Sequence, residues 1–517
     1  MQYPLQFRSI ELADSRVFEL RKSNDPPLKT EHLQLESFID EGRGFLATLQ
    51  ERVSHARAAL DELLEEEKRV QDMIESCKTI VSPIRRIPED IVREISLVSW
   101  ETDEERKDSL NANFAPFVLS QVCREWRKFV LSMSRLWSTI RLDFNSNRHD
   151  SMARQYLLQT YLLRSATHDI TLSIYSKREI SQSHLIPILL LSAPRWTDVF
   201  ISIPQNSMHT FSAVRGCLHR LNRLHVEYTN GIFVVRAPFS KPKFDAFEYA
   251  PLLRSFSING VCNGVKQMYL PWPQLTTYTA HDWTSTYLDI FKLAPDMKTA
   301  TLQCDDDSED DVPLPTTYSS HQRLRVLYLR EVDESDVVSE GGTVRFLSHV
   351  EFPVLESLSM SYAHTRIRIP SFLCGSTAGT LKSLIIDALF AIPVEAQVDL
   401  LCLLKTTPLL SRLSISCRSV PEGNENNGLL LELNANANPG LLPCLTSLEF
   451  CFINTNPYLD PSFVDMVQSR RYLAPARVAL ETLRLSVPFV FLSANNEINV
   501  RWKDMCDEGL VTYGVDS

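Results

Sequence analysis

Glycine is scarce in this chain, 15 of 517 residues, and it never clusters into a loop that could cradle a phosphate. No GxxxxGK[ST] and no GxGxxG occurs, and the brief glycine-rich stretch NGVCNGVK at 259–266 has the wrong spacing. GxSxG and HExxH are missing too. The 12 histidines form no pair at metal-binding spacing, and the 11 cysteines hold neither a CxxC nor a Cys/His cluster. These absences leave nothing to support an enzyme and predict no cofactor and no metal. Basic runs are also lacking: with a net charge of −11, a nucleic acid is not the expected partner. The longest apolar run, LIPILLLSAP at 185–194, is about half of what spans a bilayer, so no membrane span is expected. The first twenty residues contain acids and no apolar core, unlike a secretory leader. No N-x-S/T sequon occurs. Together these features predict a reduced compartment, cytoplasm and/or nucleus.

What the chain does have is length and apolar pattern. At 517 residues with 44% hydrophobic and 23% charged, it is too long for one ordinary core, so several domains or a repeat array are expected. From Leu46 a heptad runs through Leu49, Val53, Ala56, Leu60, Leu63, Glu67, Val70, Ile74 and Cys77, in alternating steps of three and four that keep one stripe on one side of a helix. Gly42 and Gly44 weaken its extension towards the N-terminus, and Pro83 stops it. The pattern predicts a long helix over 33–80, preceded by a poorly ordered segment at 1–32. Two readings stay open: self-association as a coiled coil, or one amphipathic helix lying on its own chain.

After Pro83 comes IRRIPEDIVREISLVSW, with Pro88 early in a helix and Glu89 and Asp90 in its first turn. ETDEERKDSLNAN at 101–113 reads as a polar loop or frayed helix. The apolar pattern then returns in LSQVCREWRKFVLSMSRLWSTIRL, residues 119–142. Ile-Pro, isoleucines at helical spacing and a later Val-Cys-Arg-Glu-Trp resemble the F-box, in the form abundant in mushroom-forming fungi. The resemblance covers about 60 residues. It implies an all-α module over 81–136 that docks on a Skp-type adaptor and through it a cullin. The adaptor contacts it carries over are Ile87, Pro88, Ile91, Ile95, Val122, Cys123 and Trp126. The polar insertion at 101–113 departs from the family and leaves the middle contacts open. The alternative is a helical cap on the end of the following domain.

From 137 to 517 one short pattern recurs: apolar, two variable, apolar, one variable, apolar. Strong copies start at Leu221, Leu253, Leu324, Leu355, Leu381, Leu410, Leu445 and Leu480, weaker ones at Trp137, Trp196, Leu275 and Met297. This is an irregular leucine-rich-repeat signature, each unit a short strand followed by a helix or loop. Prolines just before many copies fit a helix ending and an extended segment beginning. Residues between the inward aliphatics would line an open concave face. There Arg223, His225, Tyr328, Arg330, Arg412 and Arg484 are the candidate anchors for an unidentified protein target. CDDDSEDDV at 304–312 lacks EF-hand spacing and reads as a solvated loop, as does the Asn-rich stretch at 421–440.

The predicted fold is therefore an α/β leucine-rich-repeat solenoid with a curved parallel sheet, preceded by an all-α F-box and a long N-terminal helix or coiled coil. The expected function is the substrate-recognition subunit of a Skp-cullin-F-box-type ubiquitin ligase. The alternative is a scaffold whose F-box-like helices only cap the solenoid.

Overall fold

A computed structural model of the chain describes residues 14–101, 108–111, 115–145, 151–229, 244–260, 268–305, 319–331, 342–362, 379–388, 394–417, 427–452, 461–472, 478–485 and 496–514. Most of the acidic stretch at 304–312, much of the glycine-rich 259–266 and the start of the Asn-rich stretch lie outside them. The chain divides into two units, residues 1–93 and 94–517.

The first unit is helical. A short α1 (Asp14–Lys22) precedes α2 (Lys29–Val81) of 53 residues. The Glu31 carboxylate accepts the Leu28 backbone N–H at 2.9 Å, which fixes the start of α2. Gly42 and Gly44 do not stop it. Each glycine costs only about 1 kcal/mol relative to alanine, and a Cβ at Gly44 would meet open space. Termination waits for Pro83, which opens a single 3-10 turn, Pro83–Arg86. None of the α2 residues is buried. The next helix, α3 (Glu89–Glu101), carries Glu89 and Asp90 in its first turn and contains the boundary between the units.

The second unit continues with α4 (Ala115–Val122) and α5 (Arg124–Ser132) and then becomes an α/β solenoid. Its strands are β1 (Thr139–Asp143), β2 (Ile170–Tyr175), β3 (Trp196–Ile203), β4 (Arg223–Tyr228), β5 (Ser255–Asn259), β6 (Thr277–Trp283), β7 (Thr299–Asp305) and β8 (Ser319–Ser320). They continue as β9 (Val326–Glu331), β10 (Val350–Glu351), β11 (Ser357–Tyr362), β12 (Ser383–Ala388), β13 (Arg412–Cys417), β14 (Ser447–Phe452), β15 (Thr482–Leu485) and β16 (Val511–Gly514). Fourteen of them form one sheet in chain order, and β8 and β10 pair separately. The helices between strands are α6 (Met152–Arg164), α7 (Leu185–Leu190), α8 (Thr284–Leu293), α9 (Gly342–Leu347), α10 (Val394–Thr406), α11 (Asn427–Leu433), α12 (Pro461–Arg471) and α13 (Asn496–Asp507). One strand per unit, always parallel to the last, is what a stacked repeat requires.

The repeat pattern maps onto this sheet directly. All twelve starts found in the sequence, from Trp137 to Leu480, are buried; eleven precede a strand and Trp196 opens β3. Within strands, burial alternates, as in β9 and β11, so one face is core and the other open. Two strands escaped the pattern. In β2 the position three before Leu172 is the acidic Asp169, and in β16 the matching positions include Gly509 and Thr512.

The prolines act differently from the simple helix-stop reading. In Ala250-Pro251-Leu252-Leu253 the Ala250 carbonyl accepts the Leu253 N–H at 3.1 Å. The same bond closes Trp272 to Leu275 at 3.1 Å, Ala294 to Met297 at 3.2 Å and Phe352 to Leu355 at 3.2 Å. Thr407 to Leu410 and Leu442 to Leu445 repeat it at 3.3 Å. Each proline is thus the second residue of a β-turn, where its fixed φ is an advantage. The turn delivers the leading apolar residue into the core two positions before its strand begins.

Candidate functional site

Two surfaces of the second unit bear on function. The first is the helical segment before β1. On α5, Trp126 and Val130 stand one turn apart and form its buried face. The Trp137 indole N–H donates to the Val130 carbonyl at 3.0 Å, and Phe117 of α4 meets the Trp137 ring edge-on at 5.4 Å. Tyr161 of α6 completes the group, 5.0 Å from Trp137 and 5.8 Å from Phe117. These helices are therefore bolted to the first repeat through aromatic packing.

The polar stretch expected to be a loop contributes more than its composition suggested. Ser109 is fully buried and Leu110 nearly so. The Ser109 N–H donates to the Arg141 carbonyl at 2.7 Å, and the Arg141 N–H donates back to Ser109 Oγ at 2.9 Å. Residues 108–110 thereby satisfy backbone groups on the outer edge of β1, which an unpaired edge strand would leave open. Asp108 fixes this segment by accepting the Leu110 N–H at 3.1 Å and pairing with Arg154. Burial pushes the Asp108 carboxyl above its ordinary range, against the pull of Arg154. Sequence reading missed this cap because Leu110 is its one large apolar residue, set among the polar Asp108, Ser109 and Asn111. The one available signal was Asp-Ser two residues before an Asn, a turn-forming composition.

The residues assigned to adaptor binding differ in exposure. In the first unit, Ile87 is half-buried while Pro88 and Ile91 are exposed. In the second, Ile95 and Cys123 are half-buried and Val122 is exposed. Trp126 points inward at 6% exposure. Val118 and Val122, one turn apart on α4, leave an apolar strip in water beside the charged Arg124, Glu125, Arg127 and Lys128.

The second surface is the open face of the sheet. Register aligns its side chains in rows, one running from Phe200 through His225, Ser257, Thr279 and Thr301 to Tyr328 and Ser359. All six residues singled out for target binding sit on this face, but not together. Arg223 and His225 share β4, Tyr328 and Arg330 share β9, and Arg412 and Arg484 stand on β13 and β15. Four strand steps separate β4 from β9, about 19 Å at the usual spacing.

Three of the four arginines are paired. Arg223 grips Asp198 on the neighbouring strand, with a second contact at 2.6 Å. Arg412 and Arg484 approach Glu449 from either side, at 3.5 and 3.7 Å. At the other end, Tyr175, Phe200 and His225 make an aromatic run across β2, β3 and β4. The first two rings are 5.1 Å apart, and His225 stacks on Phe200 at 4.5 Å with 6° between planes. Burial lowers the His225 pKa, partly offset by Glu227. Phe200 and Tyr175 were not singled out from sequence, although Phe200 sits between Val199 and Ile201 of a weak repeat copy, where the alternation exposes it.

Among the described residues no group of three or more His, Cys, Asp or Glu is placed to hold a metal ion. No described helix is long and apolar enough to cross a membrane. No family model matches this chain, and no curated protein was found to be similar to it.

Proposed function

We propose that this chain is a substrate receptor: an F-box protein with leucine-rich repeats that joins a Skp-type adaptor, and through it a cullin, to a protein target. The observation that carries the reading is the apolar strip of Val118 and Val122, left in water on α4, next in the chain to α5, whose Trp126 and Val130 are already buried. A small helical segment with spare apolar surface among charges has the chemistry of a docking patch. The Val-Cys-Arg-Glu-Trp resemblance falls on the same helices, and exposed Pro88 and Ile91 carry the rest of the motif. The open face supplies rows of small polar residues with aromatic and basic anchors, suited to a protein ligand. The mechanism would be tethering, which raises the effective concentration of target lysines near the ubiquitin-charged enzyme.

A second reading rests on its own observation. The Ser109–Arg141 pairing and the Phe117–Trp137–Tyr161 cluster are what a pure solenoid cap needs, with no adaptor involved. Co-purification of the full chain with a Skp-type adaptor separates the two. Val122→Glu changes an exposed residue and is expected to abolish adaptor binding with the melting curve unchanged. Trp126→Ala would confuse binding with folding. If the unaltered chain retains no adaptor, the cap reading stands and the ubiquitin reading falls.

A further inference from the structure

We propose that α2 is a dimerisation element that pairs with α2 of a second copy in antiparallel orientation. Every residue from Gln50 to Val81 is exposed, yet the heptad runs through this stretch without a break. Leu46, Leu60 and Leu63 keep 54%, 55% and 67% of their surface in water. A helix with no packed face gains no tertiary stabilisation, and a regular apolar stripe is the feature that would supply it. Leu64 and Met73, both exposed and flanking the stripe, widen it.

Charge selects the orientation. Taking Leu46 as position a and Leu49 as d, Glu67 occupies an a position in the seam. In a parallel pair each seam residue meets its own copy, so two Glu67 carboxylates would face each other. Arg52 at g would also lie beside the partner's Arg57 at e. Both contacts are repulsive. In the antiparallel pair, Leu46 meets the partner's Cys77, Leu49 the partner's Ile74, Val53 the partner's Val70 and Leu60 the partner's Leu63. Glu67 then meets the partner's Ala56. That side chain is short, and the partner's Arg57 follows it in sequence at the same level, so the carboxylate gains space and a counter-charge. The only acid in the seam thus changes from an obstacle into a specificity determinant. This inference does not depend on the receptor reading.

The test uses the full chain. Light scattering is expected to give twice the mass of one chain. Ala56→Glu, which sets two carboxylates opposite each other, should weaken association at least about a hundredfold, and adding Glu67→Lys should restore it. A short bis-maleimide followed by peptide mass mapping reads the orientation. Leu46→Cys should cross-link to the partner's Cys77, and Cys77→Ser in that background should abolish the link. Without Leu46→Cys, the two Cys77 thiols lie at opposite ends, about 46 Å apart, and should not link. A monomer overturns the proposal, as does a dimer indifferent to Ala56→Glu. A Cys77-to-Cys77 link in the unaltered chain would mark a parallel pair and overturn it equally.

Discussion

Leucine is spaced regularly in both α2 and the solenoid strands, and it meets opposite fates. In the strands the leading leucines from Leu221 to Leu480 are all buried. Leu253, Leu275, Leu355, Leu410 and Leu445 are each delivered by a turn, and successive strands stack in register. In α2 the leucines of the heptad are exposed or half-exposed. The difference lies in where the covering neighbour comes from. A period of two, restarted every 22 to 35 residues, brings the neighbour from the same chain. A period of three and a half brings it from another helix. The same residue type therefore writes intramolecular stability in one region and an intermolecular surface in the other.

The largest effect that could break this comparison is a core truncation. Leu358→Ala in β11, at a fully buried position, should lower the unfolding free energy of the solenoid by about 2–5 kcal/mol, read by chemical denaturation. Leu60→Ala in α2 should leave that transition in place. A Leu60→Ala change that destabilised the solenoid as much as Leu358→Ala would show that α2 is packed after all, and the contrast would collapse.

The cap comes next. Arg154 and Asp108 form a largely buried pair, with side-chain exposures of 9% and 20%. Removing one member alone, as in Arg154→Met, leaves a buried carboxylate unpaired and should cost about 3–5 kcal/mol. Replacing both, Asp108→Leu with Arg154→Met, should recover much of that loss. If the single and double variants melt alike, the pair does not hold residues 108–110 on the edge of β1.

How much of this was legible follows the same division. The strands were readable because each repeat states its core in three apolar positions, and twelve of the fourteen strands carry them. The failures, β2 and β16, lack the leading apolar residue, with Asp169 and Gly509 in its place. The role of the prolines was half-legible: a break was evident, but a turn closed by the leading residue's N–H is a matter of hydrogen bonding. The edge cap was illegible because Asp108 and Ser109 are polar residues whose partners, Arg154 and Arg141, are distant in sequence. On the open face, alternation told which residues point outward. It could not tell that Phe200 and His225 stack, because that depends on the register between strands.

Solution pH sharpens the comparison through two histidines of the solenoid. His321 is buried with both ring nitrogens engaged: Nδ1 accepts the Leu324 N–H at 3.1 Å and Nε2 donates to the Ala294 carbonyl at 3.0 Å. Burial lowers its pKa below 6.5, more than Asp296 raises it, and His225 is lowered in the same direction. A proton therefore binds the unfolded chain first. The stability is fully present above 6.5 and is lost as pH falls towards the folded pKa. The melting temperature should drop between about pH 7.5 and 5.5, and His321→Gln should flatten that slope. Asp108 has the opposite sign, since its carboxyl is raised by burial. A His321→Gln protein with an unchanged slope would remove this histidine from the account.

The smallest expected effect concerns the charges on the open face. Arg412 and Arg484 both lean on Glu449, yet they remain 49% and 47% exposed. Water and salt screen such pairs, so each should contribute between about 0 and 1 kcal/mol. Double-mutant cycles of Arg412→Ala and Arg484→Ala, each with Glu449→Ala, measure the coupling by denaturation. Values near zero would show that neither pair with Glu449 stabilises the folded chain, as expected of a face that its charges do not hold together. A coupling well above 1 kcal/mol in either cycle would mean that the open face is held together by its charges. The face would then belong with the core, as structure rather than as a surface kept for a partner.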